Sequence, residues 1–139
     1  HPDWIIGTLG YILMFGEHEL DEHGRPRIFY GETVHRRCTR RSFFERGIFA
    51  QSLGDPECML RLGCKGPVTG ADCPTRQWNS YVSWPVEANT PCIGCTNPGF
   101  PDQMEPFFEP LPERDEQTAN PVNPCHLVKS RITRRGGRL

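Results

Sequence analysis

Seven cysteines and a histidine placed three residues before one of them are the side chains in this sequence that could do chemistry together. Cys92 and Cys95 stand in a C-x-x-C spacing on a Pro-flanked turn, Pro91-Cys92-Ile93-Gly94-Cys95. One turn of chain brings two such thiols close together and facing the same way, as an iron-sulfur or zinc site requires. The same spacing serves redox dithiols, but those sit beside a βαβ pattern, and none surrounds it here. His35 and Cys38 form H-x-x-C, close enough to serve one metal centre. Arg36, Arg37, Arg40 and Arg41 lie around them, cations that would favour a thiolate or an anionic cluster. Taken alone, that stretch reads better as a solvated basic loop with one incidental thiol, and it is the later cysteines that reverse this. Cys58 and Cys64 bracket a short helical signal in a C-x5-C spacing that could bring both sulfurs to one centre. Cys73, just past the turn Lys65 to Gly70, is free to face another way. Cys125 precedes His126 directly, and since sequence neighbours point apart on most backbones, it reads as a free thiol.

The elements that must position these residues are short. Pro2, Asp3 and a recurrence of Trp4, Ile5, Leu9, Ile12 and Leu13 on one face start a helix that Gly16 stops. After the turn signal His23 to Pro26, Arg27 to Tyr30 reads as a short extended run. Ser42 to Ala50 reads as a short helix burying Phe43, Phe44 and Phe49. Asp55-Pro56-Glu57-Cys58 reads as the start of another helix, with Gly63 as its stop. Trp78, Tyr81 and Trp84 are spaced irregularly, as core residues or as screens that keep water from a cluster. Beyond Phe108, Glu109 to Asn123 is rich in Pro and Glu with almost no apolar anchors, which reads as an extended arm. The expected organisation is a ligand-bearing domain over residues 1–108 and a Pro-rich, basic arm over 109–139.

Composition sets the class. Of 139 residues, 36% are hydrophobic, while 14 are Gly and 14 are Pro, so much of the chain must be loop and needs a staple that a small core cannot supply. The expected fold is mainly irregular with small α content: a few short helices and long loops organised around metal clusters, and little regular sheet. A net charge of -1 shows no bias toward nucleic acid or membrane, although four arginines crowd Arg131 to Leu139. The longest apolar stretch, Trp4 to Phe15, is too short and too Gly-interrupted to span a bilayer. An odd number of cysteines with no signal segment disfavours a pure disulfide framework. No phosphate-binding Gly-rich loop or nucleophile-histidine pairing stands out.

The ligand candidates, taken with the segments Gly24-Arg25-Pro26-Arg27-Ile28-Phe29-Tyr30-Gly31-Glu32-Thr33-Val34-His35, Leu62-Gly63-Cys64-Lys65-Gly66-Pro67, Ser83-Trp84-Pro85, Pro91 to Cys95, Gly99-Phe100-Pro101-Asp102 and Pro106-Phe107-Phe108, make the chain resemble the C-terminal part of the nickel-iron hydrogenase small subunit over about Pro2 to Phe108. The resemblance implies that His35, Cys38, Cys58 and Cys64 hold a distal-type 4Fe-4S cluster. It implies that Cys73, Cys92 and Cys95 hold a medial-type 3Fe-4S cluster, with Pro85 where a fourth ligand would stand. It also implies that the flavodoxin-like N-terminal half, with its proximal cluster, is supplied by another chain or segment.

The function implied is electron transfer: single electrons pass between a hydrogen-activating large subunit and an external acceptor or donor, with no bond chemistry on this chain. The surface near His35 is the candidate exit toward an acidic redox partner. The rival reading is a structural zinc-binding interaction domain, although only Cys92 and Cys95 form a standard zinc knuckle. A soluble chain is expected, with the cytoplasm as the favoured compartment and membrane association arising through partners.

Overall fold

The computed structural model describes residues 2–110. Within them, regular structure is confined to four short α-helices, a few single 3-10 turns and isolated β-bridges, with no sheet. The small, irregular α fold is as the composition implies.

Helix α1 (Pro2–Phe15) has Asp3 in its first turn and ends where Gly16 enters the left-handed region at φ +88, donating its N–H to Ile12 O at 3.0 Å. Only Trp4 is buried along it, at 8% exposure, and its indole N–H donates to Asp72 Oδ1 at 2.7 Å. The other apolar residues of the expected face, Ile5, Leu9, Ile12 and Leu13, remain exposed. The pattern places α1 correctly, but the described residues cover only its Trp4 end.

Arg27–Tyr30 forms a one-turn helix, α2, where an extended run was expected. Pro26, at φ -57, turns its carbonyl onto the N–H groups of Phe29 and Tyr30 at 3.0 and 3.1 Å, and Phe29 is buried by the coil. Helix α3 (Arg41–Glu45) is shorter than expected because Gly47, at φ +72, reverses the chain. Phe49 and Ala50 then run alongside Cys58, with Ala50 N–H on Cys58 O at 3.0 Å. The Asp55 carboxylate accepts the N–H groups of Gln51 and Ser52 at 2.9 and 2.8 Å, so it closes the preceding turn instead of capping a helix. The helical turn therefore starts later, as a 3-10 turn over Met59–Leu62 with Cys58 at its N-cap. Helix α4 (Cys73–Arg76) completes the set.

The core lies between these pieces. Trp4, Phe29, Val34, Met59, Ala71, Trp84 and Val86 pack with Cys73 and Cys92, while Leu60 and Cys58 gather Phe43, Phe44 and Phe49 beside them. Cys38 and Cys64 pack against the first of these groups. Most of the ligand candidates are thus part of the core or packed on it, which is how so short a set of helices can be organised. The arm from residue 111 onward, Cys125 and His126 lie outside the described residues.

Candidate metal centres

Two neighbouring cavities, each with about 340 Å³ of atom-free space, take up all seven ligand candidates. The first is bounded by His35, Cys38, Cys58 and Cys64, together with Arg40, Leu60, Pro67 and Val86. A 3-10 turn over Val34–Arg37 sets His35 near its start and Cys38 at its C-cap. The Met59–Leu62 turn holds Cys58 at one end. Past its other end, Gly63 takes φ +92 and delivers Cys64; a Cβ there would meet the Glu109 backbone oxygen at 2.5 Å. His35 packs edge-on against Phe44, ring centroids 4.5 Å apart.

The second cavity is bounded by Cys73, Cys92 and Cys95 with Trp78, Trp84, Pro85 and Thr69. Cys73 opens α4, and Cys92 and Cys95 flank Gly94, whose φ of +80 makes the tight return between them. Space there is closed as well: a Cβ on Gly94 would lie 3.1 Å from both Asn97 Nδ2 and Met104 Sδ. Val34 borders both cavities, and the consecutive residues Pro85 and Val86 face one each. Across this shared wall, Lys65 N–H donates to Cys92 O at 2.7 Å, and the Cys92 N–H faces the Cys64 sulfur.

A local device recurs at four of the six thiols. The backbone N–H two residues after the cysteine faces its sulfur: Arg40 to Cys38 at 3.4 Å, Gly66 to Cys64 at 3.5 Å, and likewise Leu60 to Cys58 and Gly94 to Cys92. Such donors favour a thiolate or a metal-bound sulfur. Burial works against them. It pushes the Cys58 and Cys73 thiols up to about 11 from 9.0, and Cys38, Cys64, Cys92 and Cys95 upward as well. For Cys73 the Trp78 indole partly offsets the rise. Burial lowers the His35 pKa and Arg41 lowers it further, so the imidazole is held neutral with a lone pair to donate. All six described cysteines are unbridged.

The donor sets therefore suit soft metals. Among the described residues, no three His, Cys, Asp or Glu side chains converge as a set that could hold one metal ion. The thiols surround a volume. A further sign sits in the second cavity: the Trp84 indole N–H is buried, with the residue 2% exposed, and has no acceptor among the described residues. An orphaned donor on the wall of a thiol-lined space fits a sulfur-bearing group that would accept from it.

Comparison with known proteins decides the family. Residues 30–108 match the C-terminal family of NiFe/NiFeSe hydrogenase small subunits. The chain belongs to this family. It is 44% identical over 115 residues to the periplasmic [NiFeSe] hydrogenase small subunit of Desulfomicrobium baculatum, and 46% identical over 114 residues to the periplasmic [NiFe] hydrogenase small subunit of Solidesulfovibrio fructosivorans; each match covers 78% of this chain and 36% of the relative. The chain thus spans about a third of the length of these relatives. Solved structures of the H2-activated Dm. baculatum [NiFeSe]-hydrogenase and of the actinobacterial-type NiFe-hydrogenase from Ralstonia eutropha H16 superpose with TM-scores of 0.73, at 42% and 36% identity. They cover 80% and 93% of this chain and 42% and 39% of theirs. The word periplasmic in the names of the two relatives runs against the expectation of a cytoplasmic compartment. Among the described residues, no helix is long and apolar enough to cross a membrane.

Within the family frame, the arginines around His35 divide differently from what their spacing implies. Arg36 and Arg37 reach Glu32 and Arg41 reaches Glu45, all at the surface, so they lean toward carboxylates and not toward the thiols. Arg40 alone is buried on the cavity. Sequence spacing could not single it out, because its three side-chain hydrogen bonds go to segments 15 to 49 residues away.

Proposed function

We propose that this chain is the electron-transfer part of a nickel-iron hydrogenase small subunit. The carrying observation is the pair of adjacent cavities, each lined by three cysteines and bordered in common by Val34. In this reading His35, Cys38, Cys58 and Cys64 hold a 4Fe-4S cluster, and Cys73, Cys92 and Cys95 hold a 3Fe-4S cluster. Pro85 also lines the second cavity, and its side chain carries no donor atom. When bound, the two clusters supply one-electron redox chemistry, relaying electrons between a hydrogen-activating large subunit and an external acceptor or donor.

The chain's own residues do the holding and the insulating. Thiols and the neutral imidazole bind, backbone N–H groups orient each sulfur, and Trp84, Val34, Met59 and Leu60 keep water out. His35, half-buried beside the exposed Arg36, Arg37 and Arg41, marks the side from which an acidic redox partner would exchange electrons. The partners in this reading are the large subunit, a chain or segment supplying the flavodoxin-like half with a proximal cluster, and an external redox protein that can itself lie at a membrane. The ligand-bearing unit in this reading is residues 1–108, and the Pro-rich, basic stretch 109–139 is a separate arm.

The test is electron paramagnetic resonance with iron and zinc analysis on the complex isolated without air. The expected result is an oxidised 3Fe-4S signal, and a reduced 4Fe-4S signal that Cys64→Ala removes. Zinc without iron would overturn the reading in favour of a structural zinc domain.

A further inference from the structure

Arg40 is 9% exposed, and every side-chain partner it has among the described residues is neutral. One terminal nitrogen donates to the carbonyls of Asp55 at 2.6 Å and Glu57 at 2.9 Å, and the other donates to Asn89 Oδ1. No carboxylate among the described residues pairs with it. The surface arginines beside it behave differently, since Arg36, Arg37 and Arg41 all sit on Glu32 or Glu45. A guanidinium remains charged in a protein, and a buried charge without a counter-charge is strongly unfavourable.

The space that Arg40 borders is the first cavity, where Cys38, Cys58 and Cys64 become thiolates once they ligate metal. Its own backbone N–H already faces the Cys38 sulfur, and its side chain grips the Asp55 and Glu57 carbonyls in the segment that leads into Cys58. The Asn89 contact fastens the same guanidinium to the turn that follows the shared wall, where Asn89 itself takes φ +60. Three hydrogen bonds to two segments hold the charge at a fixed place.

We propose that Arg40 is the built-in counter-charge of the His35, Cys38, Cys58 and Cys64 centre, a positioning residue that raises that centre's reduction potential. The proposal rests on the reading of this cavity as a cluster site. A fixed cation in a poorly screened interior stabilises the form that carries one more electron. The second cavity has no equivalent among the described residues: its wall carries indoles and a proline in the corresponding role. One and the same chain would therefore apply a fixed positive charge to one of its two centres and not to the other.

The experiment is a redox titration of the assembled complex, followed by the resonance signal of each centre, with iron content measured for the unmutated protein, Arg40→Gln and Arg40→Lys. The expected result is an Arg40→Gln complex that retains its iron, with the first centre harder to reduce. At fixed solution potential its oxidised-to-reduced ratio rises about tenfold, which is about 59 mV for one electron. The second centre's potential should not move, and Arg40→Lys should restore most of the shift. If Arg40→Gln fails to load the first centre while Arg40→Lys loads it, the counter-charge role is also supported.

An unchanged potential in a fully loaded Arg40→Gln complex overturns the proposal and leaves the cluster assignment intact. Equal loss of the first centre in both variants also overturns it, because hydrogen-bond geometry and not charge would then be what the site needs. Absence of iron from the unmutated complex overturns the cluster reading itself.

Discussion

The two cavities use the same parts up to a point and then diverge. Each has three cysteines on tight turns, and each has backbone N–H groups facing sulfur. The first adds a neutral imidazole and a buried cation, whereas the second adds two tryptophans and Pro85. With equal thiol counts, what distinguishes the two cavities is the rest of their lining. In the proposed reading the His35 imidazole would complete the first ligand set, and Pro85, with no donor on its side chain, would leave the second at three. Charge on that lining and hydrogen bonding from it would then tune each site separately.

The largest effects should come from crossing ligand losses between the two sites. Cys92→Ala is expected to empty the second cavity, removing about three of roughly seven irons per chain, and to keep the first signal. His35→Ala is expected to perturb the first signal and slow turnover with an external acceptor, with the second signal intact. Iron analysis and resonance spectra on the same samples check both; loss of both signals in either variant would break the comparison by making the two cavities one cooperative site. Next in size, Pro85→Cys adds a thiol to the second wall. The oxidised three-iron signal should disappear and iron content rise by about one per chain, making the second cavity resemble the first in ligand number.

How far the sequence announced this arrangement depends on the range of the interaction. The pair Cys92 and Cys95, the pair His35 and Cys38, and the ends of α1 at Pro2 and Gly16 are local signals, and spacing alone brought them out. The grouping of these pairs into two sets came through family resemblance. Arg27–Tyr30 was misread because four residues carry no usable period, and burial of Phe29 decided the coil. The helix expected over 42–50 was cut short at Gly47, whose positive φ outweighed the aromatic pattern. Arg40 stood among four arginines with nothing to mark it, since its partners Asp55, Glu57 and Asn89 are remote in sequence. The apolar residues of α1 were visible as a face, but nothing among the described residues covers it beyond Trp4.

The thiols offer a pH test that treats the two cavities alike. In the metal-free chain Cys58, of the first cavity, and Cys73, of the second, are both raised to about 11 from 9.0 by burial. Between those values the folded chain holds protons that the unfolded chain has begun to release. The slope of stability with pH is therefore negative there: the contribution is fully present below pH 9 and is lost as pH rises through 11. The melting temperature of the chelator-stripped complex should fall across this window, and Cys58→Ser or Cys73→Ser should each flatten the fall. Loading either cavity at neutral pH should release about three protons, because His35 enters already neutral. Unequal release would mean that the two sites differ in thiol ligation, not only in the rest of their lining.

The smallest and most discriminating effect is expected at Trp84. Its indole N–H is buried without an acceptor among the described residues, which is unfavourable for the metal-free chain. Trp84→Phe removes that donor and keeps most of the apolar wall, so the stripped complex should be as stable as before or slightly more stable. In the loaded complex the sign would reverse: an indole N–H that donates to the bound group would stabilise its more negative, reduced form. Removing it should make the second centre harder to reduce by on the order of 1 kcal/mol, about fivefold in the oxidised-to-reduced ratio, while the first centre stays fixed. Melting curves of stripped and loaded complexes, together with a redox titration, read both signs in one variant. A loss of stability in both forms would instead make Trp84 a packing residue, and the contrast between the two cavities would then rest on Pro85 against His35 and on the presence of Arg40 in the first alone.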